Sequence, residues 1–453
     1  MAKRLLEGVR VVDLTRAYAG PIGIRVLADM GAEVIKVEAI QRIDMPVRMI
    51  SHAENELGDQ PWNRCGYFHR LNVNKKGITL DLNQPKGVEI FKELVKISDV
   101  VTENYSPRAM KNFGLDYEEL KKIKPNIIMV SMSGFGQTGP EWNYAAYAHN
   151  MEAVAVSALT GFPEGMPGGS GTGYGDWCLG MAGATAVLLA LFYRQRTGKG
   201  QYVDVAGREA VLCHVGEAIM NFTMNGRVTP RMGNRHPSMA PHGVYRCKGE
   251  DSWVAIAVGS DEEWRSLARA MGDPAWAKDE RFSTVLGRLK HQDELDRLIG
   301  EWTKECDHYE VMHLLQKAGV AAGAALNPKE VLLDPQLRAR DLFAIIDQPL
   351  VGKRPQPRQM AAKFSKASGG PLGPAPRLGE HNNYVLGELL HMSKEEIAKL
   401  EEEKIIGTAP AYRARGERGL PLKIMQEQGV IGLDPNYLEE MSRAFGVEIG
   451  PPR

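Results

Sequence analysis

Residues 165 to 175 hold six glycines in eleven positions, and one acid, Asp176, follows them. Behind it runs WCLGMAGATAVLLALFY, with no charge before Arg194. A lone carboxylate at the mouth of an apolar, helix-forming segment supports two compatible readings. As an N-cap it would accept from free backbone N–H groups and stabilise the helix by ~1 kcal/mol. As a reactive group it would stay ionised at the positive end of the helix dipole. Glycines carry no Cβ, so a bulky substrate could approach the backbone closely. An ionised carboxylate in such a cleft can attack an activated acyl group.

Other stretches offer less. In SGFGQTGP, Gly134, Gly136 and Gly139 stand at G-x-G-x-x-G spacing after a strand-like segment. Pro140 follows directly and no acidic strand end lies ~20 residues on, so the turn is read as bending around a ligand or a neighbouring chain, and no NAD is expected. His149, His214, His236 and His242 show no metal-ligand spacing, and no metal is expected. Lys75, Lys76, Arg231 and Arg235 read as solvated basic residues, although those beside glycines could hold phosphates.

The elements that must position Asp176 alternate in type. GVRVVDLT and AEVIKVE read as buried strands around a helix at 20–31. Helices at 87–99 and 116–125 alternate with strands at 100–104 and 126–136, and GQYVDVAGREAVLCHVGEAIMNF reads as a strand followed by a helix. This alternation predicts an α/β fold with a mostly parallel sheet. The domain organisation expected is a large α/β domain over 1–225, a Gly/Pro/Arg/His-rich linker over 226–240 and a small α+β domain over 241–330, opening with two strands and a helix. Residues 331–410 would form a return linker, loop-rich over 350–380, and the C-terminal part of the large domain. Residues 411–453 form an extension with no assigned role.

Lys+Arg and Asp+Glu balance at 56 each, so nothing draws this chain to nucleic acid or to an anionic membrane. The five cysteines are dispersed, as reduced cytosolic thiols are. The N-terminus lacks a signal-peptide pattern, and the apolar run Leu179 to Tyr193 reads as too short to cross a bilayer. A cytoplasmic protein is expected.

Several stretches, in order, resemble the class III CoA-transferases, the CaiB–BaiF family with its formyl-CoA and benzylsuccinate CoA-transferase members. They are DLTRAYAGPIGIRVLADMGAEVIKVE, NVNKKGITLDLNQPKG, DVVTENYSPRAMKNFGLDYEEL, SMSGFGQTGP, YGDWCLGMAGATAVLLAL, RTGKGQYVDV, MGNRHPSMAPHGVY, AGVAAGAALNPKEVLLDP and LGEH. The resemblance implies a large Rossmann-like domain built from both chain ends plus a small domain. Each subunit would be an open ring, and two would interlock into a homodimer, or a heteromer with a related subunit. It implies Asp176 as the nucleophile and coenzyme A, carried as a substrate thioester, as the only cofactor, with succinyl-CoA as donor and an organic acid as acceptor. Ala17, Tyr18, Ala19, Lys75, Asn104, Tyr105, Arg108 and Gly136 stand at positions the resemblance assigns to CoA contacts. The chain departs from the pattern at Asn112 and Ala39, where basic residues are common. Racemases of the same family carry a His seven residues past the G-P turn; here that residue is Tyr147, and His149 lies two positions late. A 2-methylacyl-CoA racemase, an intramolecular CoA-transferring isomerase and a non-catalytic partner subunit are the alternatives. The segment HPSMAPHGVYRCKGEDSWVAIAV resembles members acting on aromatic or arylsuccinate-type acids; Trp177 could pack on such an acid or lie in the core.

Overall fold

The structure, a computed structural model, describes residues 4–154, 156–169, 171–370, 373–412, 422–429 and 431–451. Ser170 of the glycine-rich stretch and residues 413–421 of the C-terminal extension lie outside the described residues.

Six short strands form a wholly parallel sheet: β1 (Arg10–Asp13), β2 (Glu33–Glu38), β3 (Lys76–Thr79), β4 (Val100–Glu103), β5 (Ile128–Ser133) and β6 (Tyr202–Ala206), in the order β3-β2-β1-β4-β5-β6. Side chains alternate across a strand, and both faces here are apolar. Val11, Val34, Val100, Ile128 and Val130 project into one core with Ile24 and Leu27 of helix Ala19–Asp29 and Leu179 and Val187 of helix Tyr174–Thr197. Their neighbours Val12, Ile35, Val101 and Met129 project into the other, with Ile90, Phe91 and Leu94 of helix Pro85–Lys96 and Val385, Leu386, Ile397 and Leu400 from the far end of the chain. Strands buried on both faces read as continuous apolar runs, which is why β1, β2, β4 and β5 were legible in the sequence.

The chain divides into two compact units, one holding Met1–Val156, Ser170–Gly216 and Ala339–Arg453, the other Ser157–Gly169 and Glu217–Arg338. The second unit has an antiparallel sheet of β7 (His242–Arg246), β8 (Trp253–Ala257) and β9 (Ala321–Ala325), with Trp264, Phe282 and Leu295 in its core. In the first unit a hairpin, β10 (Phe343–Gln348) and β11 (Gly352–Pro357), extends into the stretch read as loop-rich. That strand carries Pro355 and Pro357, residues that argue against a strand except at a sheet edge.

The run Leu179–Tyr193 needs correcting: its helix spans 24 residues, Tyr174–Thr197, and by length and composition it could cross a membrane. Its apolar inner face is a packing face. At Gly23 of helix Ala19–Asp29, an added Cβ would lie 2.1 Å from the Gly180 carbonyl oxygen, and at Gly180 it would lie 2.4 Å from the Ala19 carbonyl oxygen. The two helices therefore cross backbone to backbone. Gly23→Ala must push them apart, at a cost of about 1–3 kcal/mol. A lower urea midpoint at unchanged slope is expected; an unchanged midpoint would show that the crossing yields freely.

Candidate functional site

In open parallel sheets, ligands bind beyond the carboxyl ends of the strands where strand order reverses. Here that point lies between β1 and β4. The segment after β1 carries Ala17, Tyr18 and Ala19, and the segment after β4 carries Asn104 and Tyr105, so five residues singled out from the sequence flank it. The two segments are tied together. The Arg16 backbone N–H donates to Asn104 Oδ1 at 2.7 Å, and Asn104 Nδ2 donates back to the Arg16 carbonyl at 2.9 Å. Asn104 spends its amide holding the loop. Tyr105 packs against Phe113 at the edge of the core, and burial pushes its phenol well above the usual tyrosine range. Arg108 is exposed, with its guanidinium 5.2 Å from the Trp142 ring centre. Gly136, in the turn after β5, has φ +86°. The Gly134–Gly139 turn thus follows β5, whereas the glycine turn of dinucleotide folds follows the first strand.

The loop after β1 rests on buried charges. Ala17 takes a left-handed φ of +59°, and its N–H donates to both Asp44 carboxylate oxygens at 3.0 Å. Lys36 Nζ donates to the Thr15 carbonyl at 2.7 Å and lies 3.8 Å from Asp44. Lys75 corrects the sequence reading. It is 2% exposed, and its ammonium donates to Asp13 Oδ2 at 2.9 Å and to the Pro21 carbonyl at 3.1 Å, so it is spent inside the fold instead of facing a phosphate. Burial pushes the Lys75 ammonium down to about 8 against the pull of Asp13. Burial alone would raise Asp13, but Lys75, Lys36 and Thr15 together hold it below the ordinary aspartate value.

Asp176 lies in the first turn of helix Tyr174–Thr197, three positions past the N-cap, which is Gly173 at φ +69°. The capping reading is therefore corrected. Glu152, fully buried at the end of helix Ala148–Glu152, accepts from the Gly175 N–H at 3.0 Å and caps this turn from outside. Among the described residues no hydrogen-bond donor reaches the Asp176 carboxylate. Burial first, then the Glu152 charge, push it up to about 6, with His149 pulling the other way. His149 Nδ1 lies 3.8 Å from Glu152 Oε2, and its ring is mostly exposed. The signal for Glu152 was its spacing, three residues after His149 on one helical face, but nothing local said what that face would meet. Trp177 is partly buried against Ile22, Phe68 and Ala375, edge-on to Tyr18 at 6.2 Å between centroids, with the Arg70 guanidinium 5.6 Å from its ring centre. Arg70 carried no motif and was passed over. Among the described residues no group of three His, Cys, Asp or Glu could hold a metal.

Two substitutions test these placements. Lys75→Met strands the Asp13 carboxylate in the core, at a cost of about 3–5 kcal/mol; a substitution that left stability intact and only weakened CoA binding would restore the phosphate role. Asp176 ionises near 3.8 unfolded and about 6 folded, so above pH 6 its charge opposes folding, and the penalty vanishes as pH falls toward 3.8. Asp176→Asn is expected to be more stable by on the order of 1–3 kcal/mol above pH 7 and equal to wild type below pH 4, read from urea melts.

With this geometry in place, comparison with known proteins is decisive. A profile described as CoA-transferase family III matches residues 6–382. The chain is similar to the succinyl-CoA–D-citramalate CoA-transferase of Chloroflexus aurantiacus, at 36% identity over 89% of this chain and 98% of the relative. It is also similar to the succinate–glutarate CoA-transferase of Agrobacterium fabrum, at 33% identity over 85% of this chain and 95% of the relative. A crystal structure of a CaiB/BaiF family protein from Brucella suis superposes with a TM-score of 0.77 at 34% identity, over 85% of this chain and 99% of that one. This chain belongs to CoA-transferase family III and is an enzyme of that class.

Proposed function

We propose that this enzyme moves CoA from succinyl-CoA to an organic acid through covalent intermediates on Asp176. One observation carries the reading: a carboxylate with no protein donor among the described residues, at the positive end of a long helix, beside the loop after β1 at the sheet's reversal point. The lack of donors and the burial keep it basic, and the glycines leave its approach open.

The steps balance without a metal or redox group. An Asp176 oxygen attacks the thioester carbonyl, the C–S bond breaks, and CoA leaves as thiolate, giving a mixed anhydride. The thiolate attacks the Asp176 acyl carbon and expels the donor acid as a carboxylate, leaving an aspartyl-CoA thioester. The acceptor carboxylate attacks that thioester, again releasing thiolate and forming a second anhydride. The thiolate then attacks the acceptor's acyl carbon, giving the new acyl-CoA and restoring the Asp176 carboxylate. No proton is gained or lost. Each tetrahedral oxyanion needs donors, and free backbone N–H groups at the helix starts and glycine turns are the groups of this chain suited to supply them. The interlocked homodimer and the cytoplasmic location belong to the same proposal. The two named relatives act on citramalate and glutarate, and both acids carry two carboxylates.

A second reading has one observation in its favour: His149, two positions late for the racemase motif, lies near enough to Asp176 to lower its pKa. An aspartate–histidine pair could exchange the α-proton of a 2-methylacyl-CoA.

Mass spectrometry of mixtures of succinyl-CoA and free acids separates the two. New acyl-CoA species are expected with wild type, with a rate that rises as pH passes about 6, where the carboxylate becomes ionised. Asp176→Asn is expected to lose transfer by on the order of a thousandfold or more. A fully active Asn variant, or deuterium entering the α-carbon of a 2-methylacyl-CoA without any transfer, would sink the transferase reading.

A further inference from the structure

Arg70 stands apart from the fully buried guanidiniums. Arg25 faces Asp29 at 3.4 Å, Arg48 faces Glu38 at 2.6 Å, and Arg288 faces Asp261 at 2.9 Å. Arg70, on helix Gly66–Asn72, is partly buried, and burial pushes its pKa down, yet among the described residues no carboxylate comes within ion-pair distance. Asp29 acts on it only from afar and is engaged by Arg25 and Asn74. Of its donors, Nη1 reaches Gln359 Oε1 at 2.6 Å, while Nε and Nη2 meet no acceptor among the described residues. Partial withdrawal of a cation from water without a counter-charge carries a cost that an anionic ligand offsets.

The position of this cation relative to Asp176 is informative. The guanidinium lies over the Trp177 ring, and Trp177 directly follows Asp176. Tyr18 packs edge-on to Trp177; burial raises its phenol pKa, and it also feels both charges, Arg70 pulling against that rise and Asp176 adding to it. Tyr18 and Trp177 thus form an aromatic pair within electrostatic reach of both the carboxylate and the guanidinium.

We propose that Arg70 binds the distal carboxylate of a dicarboxylic acyl group, making this enzyme selective for dicarboxylates as both donor and acceptor. The inference rests on Asp176 being the transfer site. One end of the substrate would sit at Asp176 as thioester or anhydride, its methylenes would lie along Tyr18 and Trp177, and its free carboxylate would take the two unused donors of Arg70, a fork that suits a carboxylate. Donor and acceptor visit Asp176 in turn, so one arginine serves both.

The test separates binding from transfer. On the Asp176→Asn background, calorimetry with succinyl-CoA and butyryl-CoA is expected to show succinyl-CoA bound at least about tenfold tighter. Adding Arg70→Gln should weaken succinyl-CoA by about 10–100-fold and leave butyryl-CoA unchanged. Arg70→Lys, which keeps the charge and loses the fork, should fall between them and serves if the Gln variant does not fold. In the active enzyme, Arg70→Gln should raise KM for glutarate by at least about tenfold more than KM for valerate. Equal affinity for the two acyl-CoAs, a preference that survives Arg70→Gln, or an equal loss on both would overturn the assignment. A binding preference that vanishes with Arg70 in a protein that transfers CoA to no acid would sustain the anion site and overturn the transfer role of Asp176.

Discussion

The close crossing of two helices at Gly23 and Gly180 sets the geometry on which the site depends. A βα crossover places every helix start at the carboxyl edge of the sheet, but side chains ordinarily hold neighbouring helices 8–10 Å apart. Here the backbones touch, because neither glycine carries a Cβ. The start of helix Ala19–Asp29, with Tyr18 before it, is drawn against the start of helix Tyr174–Thr197, with Asp176 and Trp177 in its first turn. Two positive helix ends converge on one place, where anionic substrates and developing oxyanions are favoured.

Beneath this crossing lies a frame of buried charge. Asp13–Lys75, Lys36–Asp44 and Glu38–Arg48 are all withdrawn from water at the carboxyl ends of β1 and β2. Such pairs add little net stability relative to apolar packing. Their effect is on geometry: Asp44 accepts from the Ala17 N–H and Lys36 donates to the Thr15 carbonyl, fixing a loop that includes a left-handed alanine. Arg48 on Glu38 is strong enough to hold that carboxyl down to about 2 despite burial, whereas burial raises Asp44 above the ordinary aspartate value against the pull of Lys36.

Asp176 itself is the exception in this frame. Asp13, Asp44 and Glu38 each accept hydrogen bonds, whereas among the described residues no donor reaches the Asp176 carboxylate. Capping by Glu152 releases it from the role that an aspartate at a helix start usually fills, and the Glu152 charge makes it more basic. Stability is given up at the residue that would do the chemistry, as is common at active sites.

The strands of the main sheet, the helix behind Asp176 and the ordered motifs of a CoA-transferase were readable one after another along the chain. Apolar runs, glycine stops and short motifs are local, and the sheet's double burial makes its strands conspicuous. The hairpin β10–β11, with prolines in its second strand, and β9, built of AAGAA, gave no such signal because their pairing partners define them. Lys75 read as a phosphate ligand because its motif and charge are visible in sequence, while its burial against Asp13, 62 positions away, is not. Arg70, Glu152 and Asp44 were silent for the same reason. What the sequence determined alone was which elements form and which residue could act as nucleophile. Which charges are paired, which carboxylate caps which helix and which guanidinium meets no carboxylate among the described residues were decided only by tertiary structure, because desolvation and Coulomb pairing depend on distances across the fold and not along the chain.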